Sequence, residues 1–154
     1  MRTLFRLVKK SRAKEAFDGE GARLAGGRWN LAGVPAVYLS QSLSLAALEL
    51  FVHLPTAARK LELAYFEVEI PDGVRIDELD RARLPKSWRA QPVPEEAQRL
   101  GTAWLKGESA LLLAVPSVIV PRERNVLMNP AHADARALKI GKPQPFSFDP
   151  TMWK

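Results

Sequence analysis

The most constraining stretch of this chain is Leu61 to Ile70, whose second half alternates without a break. Ala64, Phe66, Val68 and Ile70 fall on one side, and Tyr65, Glu67 and Glu69 on the other. A period of two with one apolar face predicts a half-buried strand, which needs partner strands and a core beneath it. Pro71-Asp72-Gly73 then ends the strand in a turn. Any fold for this chain is therefore organised around a sheet with a polar and an apolar side.

Further short strands are expected at Met1 to Val8, at Val34 to Leu39 and over Asn125 to Asn129, the last ended by Pro130. Ala110 to Val120 reads as a buried strand interrupted by Pro116, and Leu138 to Ile140 and Phe146 to Asp149 as short final strands. Ser42 to His53 reads as a helix, with serine at its N-cap and Pro55 as its stop. Glu95 to Lys106 reads as a second, its first-turn glutamates suited to the helix dipole. Ser11 to Asp18 is a helical turn, Gly19 to Gly27 a glycine-rich irregular stretch, and Asp77 to Pro94 a loop with three prolines. Short strands mixed with few helices predict an α+β fold, one compact domain over 1–154.

Composition excludes several chemistries. Without cysteine there is no disulfide, thiolate metal site or cysteine nucleophile. No signal peptide is evident at the N-terminus and no apolar run approaches the length of a membrane span, so a cytoplasmic protein is expected. The net charge of +6 favours an anionic partner, but the basic residues are scattered and form no basic helix. No P-loop, GxGxxG or Gly-x-Ser-x-Gly motif is present, and His53 and His132 do not suggest a triad or a metal site.

Four positions depart from their surroundings. Glu49 is the only charge on a helix that is otherwise apolar, spaced on the stripe of Leu45, Leu48 and Val52. A carboxylate on a buried stripe requires a partner or a cleft. Arg28 follows two glycines in Gly26-Gly27-Arg28-Trp29-Asn30, where the backbone can approach a ligand and the guanidinium can hold a phosphate. Tyr38 ends a strand just before the Glu49 helix, so that the two can share a cleft. Ser117 lies in an otherwise buried strand, where its hydroxyl needs either a backbone bond at a proline bulge or a functional partner.

These residues also carry a resemblance. Gly26-Gly27-Arg28-Trp29-Asn30, then Gly33-x-Pro35-x-x-Tyr38-Leu39-Ser40, then Leu45-Ala46-x-Leu48-Glu49 resemble the opening of a RES domain. Trp88, Gly101-x-x-Trp104-Leu105, Val115-Pro116-Ser117, Asn125-x-x-x-Asn129-Pro130-x-His132 and Phe148-Asp149 follow in the family's order. Val126 is a departure, because the family often has a bulky residue there.

The resemblance implies a toxin of a type II toxin–antitoxin system, with a fold similar to ADP-ribosyltransferases of the diphtheria-toxin kind. It implies NAD⁺ as substrate, cleaved at the nicotinamide–ribose bond by hydrolysis, phosphorolysis or ADP-ribosyl transfer to a cellular protein. Glu49 would stabilise the cationic ribose and Tyr38 would stack on nicotinamide. Arg28, with Arg6 as a second contact, would hold phosphate, and Ser117 and Asn129 would bond the nicotinamide side. No metal enters these roles. The implied partner is an antitoxin with an Xre-like helix-turn-helix region that blocks the pocket and would itself make any nucleic-acid contact. On charge alone, a basic nucleic-acid-binding module or an RNase-type toxin stays open as the alternative.

Overall fold

The computed structural model describes residues 2–153. Eight strands form one sheet: β1 (Arg2–Lys9), β2 (Val37–Ser40), β3 (Leu63–Ile70), β4 (Ile76–Glu78), β5 (Leu112–Pro116), β6 (Arg124–Met128), β7 (Lys139–Ile140) and β8 (Gln144–Phe146). Their order is β4-β5-β6-β2-β1-β3-β7, with β8 also paired to β3. Every pairing is antiparallel except β4 with β5. Among the described residues three α-helices accompany it, besides short 3-10 turns: α1 (Glu20–Ala25), α2 (Leu43–Phe51) and α3 (Glu95–Gly107). The α+β expectation holds. Met1, placed in the first expected strand, and Lys154, the end of the expected domain, lie outside the described residues.

The alternation in β3 is realised residue by residue, with Ala64, Phe66, Val68 and Ile70 buried and Glu67 and Glu69 exposed. One face of the sheet gathers Leu4, Val37, Leu39, Val68, Ile70, Val126 and Met128 into a core. Burial of each such side chain favours folding by about 1.5–3 kcal/mol. The opposite face is covered in two places. Leu7 and Leu63 pack against Ala46 of α2, together with Phe148. Trp29, Leu113, Val115 and Leu127 pack against Ala97 and Leu105 of α3.

Two elements depart from expectation because their patterns are too short to read. The glycine-rich stretch contains a six-residue helix, α1, which ends at Gly26 with a φ of 72° that favours glycine. The loop expected from Asp77 contains most of β4, a three-residue edge strand on β5. Two strand boundaries also move. β5 stops at Pro116, and residues 117–123 form the connection to β6. The last strand is Gln144–Phe146, with Phe148 buried beyond it as a core plug.

Candidate active site

The site is assembled where β2, β5 and β6 end near one another. α2 starts two residues after β2, and the Ser42 hydroxyl caps it by accepting from the Leu45 amide. Of its residues only Leu45 and Ala46 are buried, while Leu48 and Val52 are 36% and 54% exposed. The stripe containing Glu49 is thus only partly a core stripe, which corrects the expectation of a buried one. Glu49 stands half-buried at its border.

Its carboxylate is gripped at a single oxygen. Ser117 Oγ donates to Glu49 Oε1 at 2.6 Å and Asn125 Nδ2 donates to the same oxygen at 2.7 Å. No protein donor reaches Oε2 among the described residues. Ser117 is fully buried, and its hydroxyl accepts from the Ile119 and Val120 amides at 3.1 and 3.0 Å. One donated and two accepted bonds exhaust a hydroxyl. Ser117 therefore has nothing left to offer nicotinamide, contrary to expectation, and its bonding goes to the carboxylate and to the turn after Pro116.

Arg28 and Tyr38 sit on the α3 side of the same sheet face. α3 lies so close to the 26–31 segment that a Cβ on Gly101 would come 1.8 Å from the Trp29 carbonyl oxygen. Thr102 Oγ1 accepts from the Leu31 amide at 2.8 Å, fastening the next residue pair. Trp29 is buried and its ring lies 6.2 Å from that of Trp88. This leaves Arg28 projecting toward the loop before α3, where Nη1 donates to the Trp88 and Ala90 carbonyls at 2.9 and 3.1 Å. Nε and Nη2 make no hydrogen bond among the described residues. Partial burial lowers the Arg28 pKa from its ordinary value, while the negative charge of Glu49, and then Tyr38, acts in the other direction. Arg28 and Glu49 thus lie within electrostatic reach of each other, and the guanidinium stays cationic at neutral pH.

Tyr38 donates to Asn30 Oδ1 at 2.5 Å and accepts from the Trp29 amide at 3.1 Å. Burial raises its pKa, against the pull of the Trp29 bond and the Arg28 charge, so the hydroxyl remains a donor. With the hydroxyl committed, the half-buried ring is the part of Tyr38 left for a ligand. Gly27 serves this packing: a Cβ there would lie 2.6 Å from the Tyr38 hydroxyl oxygen. The glycine is needed for the tyrosine, where the sequence suggested approach to a ligand.

Two expected contacts fall outside this group. Arg6 shares a face of β1 with Leu4 and Val8, whereas Leu7 packs under α2 on the opposite face. Its Nε donates to the Ala16 carbonyl at 2.5 Å and its Nη1 to the Tyr38 carbonyl at 2.9 Å. Burial lowers its pKa to about 10, opposed by Asp18. Arg6 is a bracket beneath the sheet and does not reach the Glu49 side. Asn129 is also spent internally. Its Nδ2 donates to the Leu105 carbonyl at 2.9 Å and its Oδ1 accepts from the Ala131 amide at 3.1 Å. Four residues of extended chain, about 13 Å, separate it from Asn125. The structure thus brings together Arg28, Tyr38, Glu49 and Ser117, and leaves out Arg6 and Asn129.

Asn125 was quoted in the family motif but given no role, and its bond to Glu49 is the contact that sequence reasoning missed. The clue available was its position at the start of a strand directly after the Ser117 connection. Among the described residues no group of histidine, aspartate and glutamate side chains is placed to hold a metal ion. No described helix is long and apolar enough to cross a membrane.

Comparison with known proteins follows the same outline. A family model described as the RES domain matches residues 3–149. The chain is 40% identical over 154 residues to a Sphingobium sp. (strain YBL2) protein named Prs ADP-ribosylating toxin, covering 97% of this chain and 96% of that one. It is 40% identical over 150 residues to Toxin Res of Yersinia enterocolitica, covering 97% and 98%. Its fold is similar to that of a chain in the crystal structure of the M. tuberculosis MbcT–MbcA toxin–antitoxin complex. The TM-score is 0.75 at 19% identity, covering 95% of this chain and 84% of that one.

Proposed function

The chain belongs to the RES-domain family, and from that premise we propose that it is the toxin of a toxin–antitoxin pair and that it cleaves NAD⁺ between nicotinamide and ribose. The observation that carries this reading is the one-sided grip on Glu49, with two neutral donors on Oε1 and none on Oε2. In this reaction the glycosidic C–N bond breaks and its electron pair leaves with nicotinamide. The ribose carbon then becomes strongly cationic before an acceptor adds. A fixed carboxylate with a free oxygen is suited to bind a ribose hydroxyl and to stabilise that cation. Because its environment is already arranged, little reorganisation is needed as charge develops.

Arg28 supplies the complementary charge. Its two carbonyl bonds fix the guanidinium through Nη1, leaving Nε and Nη2 to face an anionic group such as the pyrophosphate of NAD⁺. The Tyr38 ring, its hydroxyl occupied, offers an apolar face for nicotinamide. Ser117 acts on the substrate through Glu49. The relatives named as toxins, one of them ADP-ribosylating, support this chemistry for a chain so similar along its whole length. The name of the ADP-ribosylating relative favours ADP-ribosyl transfer over hydrolysis or phosphorolysis. An antitoxin of Xre-like type that covers Arg28 and Glu49 is the expected partner, and the net charge of +6 suits an acidic covering segment.

The test is incubation of the purified protein with NAD⁺ alone, with inorganic phosphate, and with cell extract, followed by product identification. Nicotinamide release is expected in at least one condition, and the ADP-ribosyl product identifies the acceptor. Intact NAD⁺ in all three would overturn the reading.

A further inference from the structure

We propose that Asn125 and Ser40 form a positioning relay for Glu49, in which the Ser40 hydroxyl sets the orientation of the Asn125 amide and the amide sets that of the carboxylate. The proposal rests on the reading of Glu49 as the working carboxylate.

The register of the sheet makes the relay possible. Ser40, the last residue of β2, is paired with Asn125 of β6, and Asn125 is paired in turn with Val115 of β5. Directly opposed residues of antiparallel strands share a face and lie within side-chain reach. Ser40 is buried, and its Oγ lies 2.7 Å from Asn125 Oδ1. Asn125 Nδ2 lies 2.7 Å from Glu49 Oε1. Chemistry dictates the direction of both bonds. A carboxylate can only accept, so the amide must turn its NH₂ toward Glu49. The amide oxygen then faces Ser40 and can only accept, so Ser40 must donate.

Removing the Ser40 hydroxyl leaves the amide oxygen without its donor and the amide anchored at one end only, by its bond to Glu49. An amide anchored at one end can swing about its side-chain torsion and loosen the carboxylate's second donor. Ser117 cannot compensate, because its single proton is already on Oε1 and both acceptor positions are taken by backbone amides. The relay therefore controls which way the carboxylate plane faces, a quantity that matters to the reaction step more than to binding. Neighbouring bonds brace the same corner: Gln41 Oε1 accepts from the Arg124 amide at 2.7 Å, and the Gln41 amide donates to the Arg124 carbonyl at 3.2 Å.

A double-mutant cycle tests this, read both as nicotinamide release and as growth inhibition. Asn125→Ala is expected to lower kcat about tenfold or more, and Ser40→Ala about three- to tenfold, the worth of hydrogen bonds to charged and neutral groups respectively. KM should stay within about twofold. In the Asn125→Ala background, Ser40→Ala should cost nothing further, because its effect passes through the amide. Ser40→Thr, which keeps the hydroxyl, should restore most of the rate. Losses that multiply, or a KM increase at constant kcat, would overturn the relay.

If Ser40→Ala does not fold, Asn125→Asp decides. It keeps the shape and the Ser40 bond but sets an acceptor against Glu49, so kcat should fall at least as far as in Asn125→Ala. An unchanged kcat would overturn the proposal. A wild-type protein that inhibits growth without releasing nicotinamide would instead remove the NAD⁺ reading, and the same cycle on growth inhibition would still decide the relay.

Discussion

Glu49 and Asp77 each accept from neutral side chains distant in sequence, and they are held differently. Asp77, in the edge strand β4, has both oxygens engaged: Oδ1 by Arg75 at 2.6 Å, Oδ2 by Trp104 Nε1 at 2.9 Å and Ser109 Oγ at 3.2 Å. Burial would raise its pKa, but the bonds from Trp104, Arg75 and Ser109, with the Arg75 charge, outweigh this and lower it. Glu49 has both of its bonds on one oxygen and a cation nearby but not in contact. A saturated carboxylate ties α3 to the sheet edge. A carboxylate saturated on one side only is rigid and still able to bind. The two carboxylates differ most in how their donors are distributed over the two oxygens.

The comparison can be broken most easily at Glu49. Glu49→Gln keeps the shape and removes the charge, and is expected to lower NAD⁺ cleavage about a hundred- to a thousandfold, abolishing growth inhibition with little change in Tm. Full toxicity in a folded Glu49→Gln protein would remove Glu49 from the chemistry. The next largest effect is expected at Gly101, where any side chain collides with the Trp29 carbonyl. Gly101→Ala should cost about 1–3 kcal/mol of stability, visible as a lowered Tm, and should displace the segment that carries Arg28. An unchanged Tm would show that α3 can retreat freely.

Arg28→Lys keeps the charge but loses the planar fork that bonds two carbonyls and leaves two donors free. A fall in kcat/KM of about tenfold, about 1.4 kcal/mol, is expected. Wild-type kinetics would exclude Arg28 from the site. The smallest effect concerns Asp77. Because its folded pKa is depressed, its contribution to stability is present above the ordinary aspartate value and is lost as pH falls through the lower folded value. The Tm difference between wild type and Asp77→Asn should therefore shrink as pH falls below the ordinary aspartate value and through the lower folded one. A difference independent of pH would mean that ionised Asp77 is not what holds Trp104.

How much of this could be read from the chain depends on the range of the signal. The β3 alternation is local, and it was realised in full. Glu49 was recognisable as a lone charge on an apolar helix, although Leu48 and Val52 proved exposed and the reason was only half the expected one. Arg6 was misassigned even though the alternation of Leu4, Arg6 and Val8 already placed it on one face of β1; which face carried the site depended on the covering helices. Asn129 looked available because the backbone groups it serves, at Leu105 and Ala131, are fixed only by tertiary packing. Ser117 was assigned to the site, but its use there depends on a turn whose amides close on its own hydroxyl. The Ser40–Asn125 pair was out of reach, because nothing local to either residue specifies a register between strands 85 positions apart.

On the proposed reading Glu49 works on NAD⁺, and Asp77, with three bonds to Glu49's two, does not. The direct measurement is nicotinamide release by wild type, Glu49→Gln and Asp77→Asn, side by side at one protein concentration and with Tm recorded for each. Release is expected to collapse in Glu49→Gln at an unchanged Tm, and to stay within about threefold of wild type in Asp77→Asn, in line with the small effects of changes away from a reacting centre. Equal losses in the two variants, or a loss confined to Asp77→Asn, would contradict it.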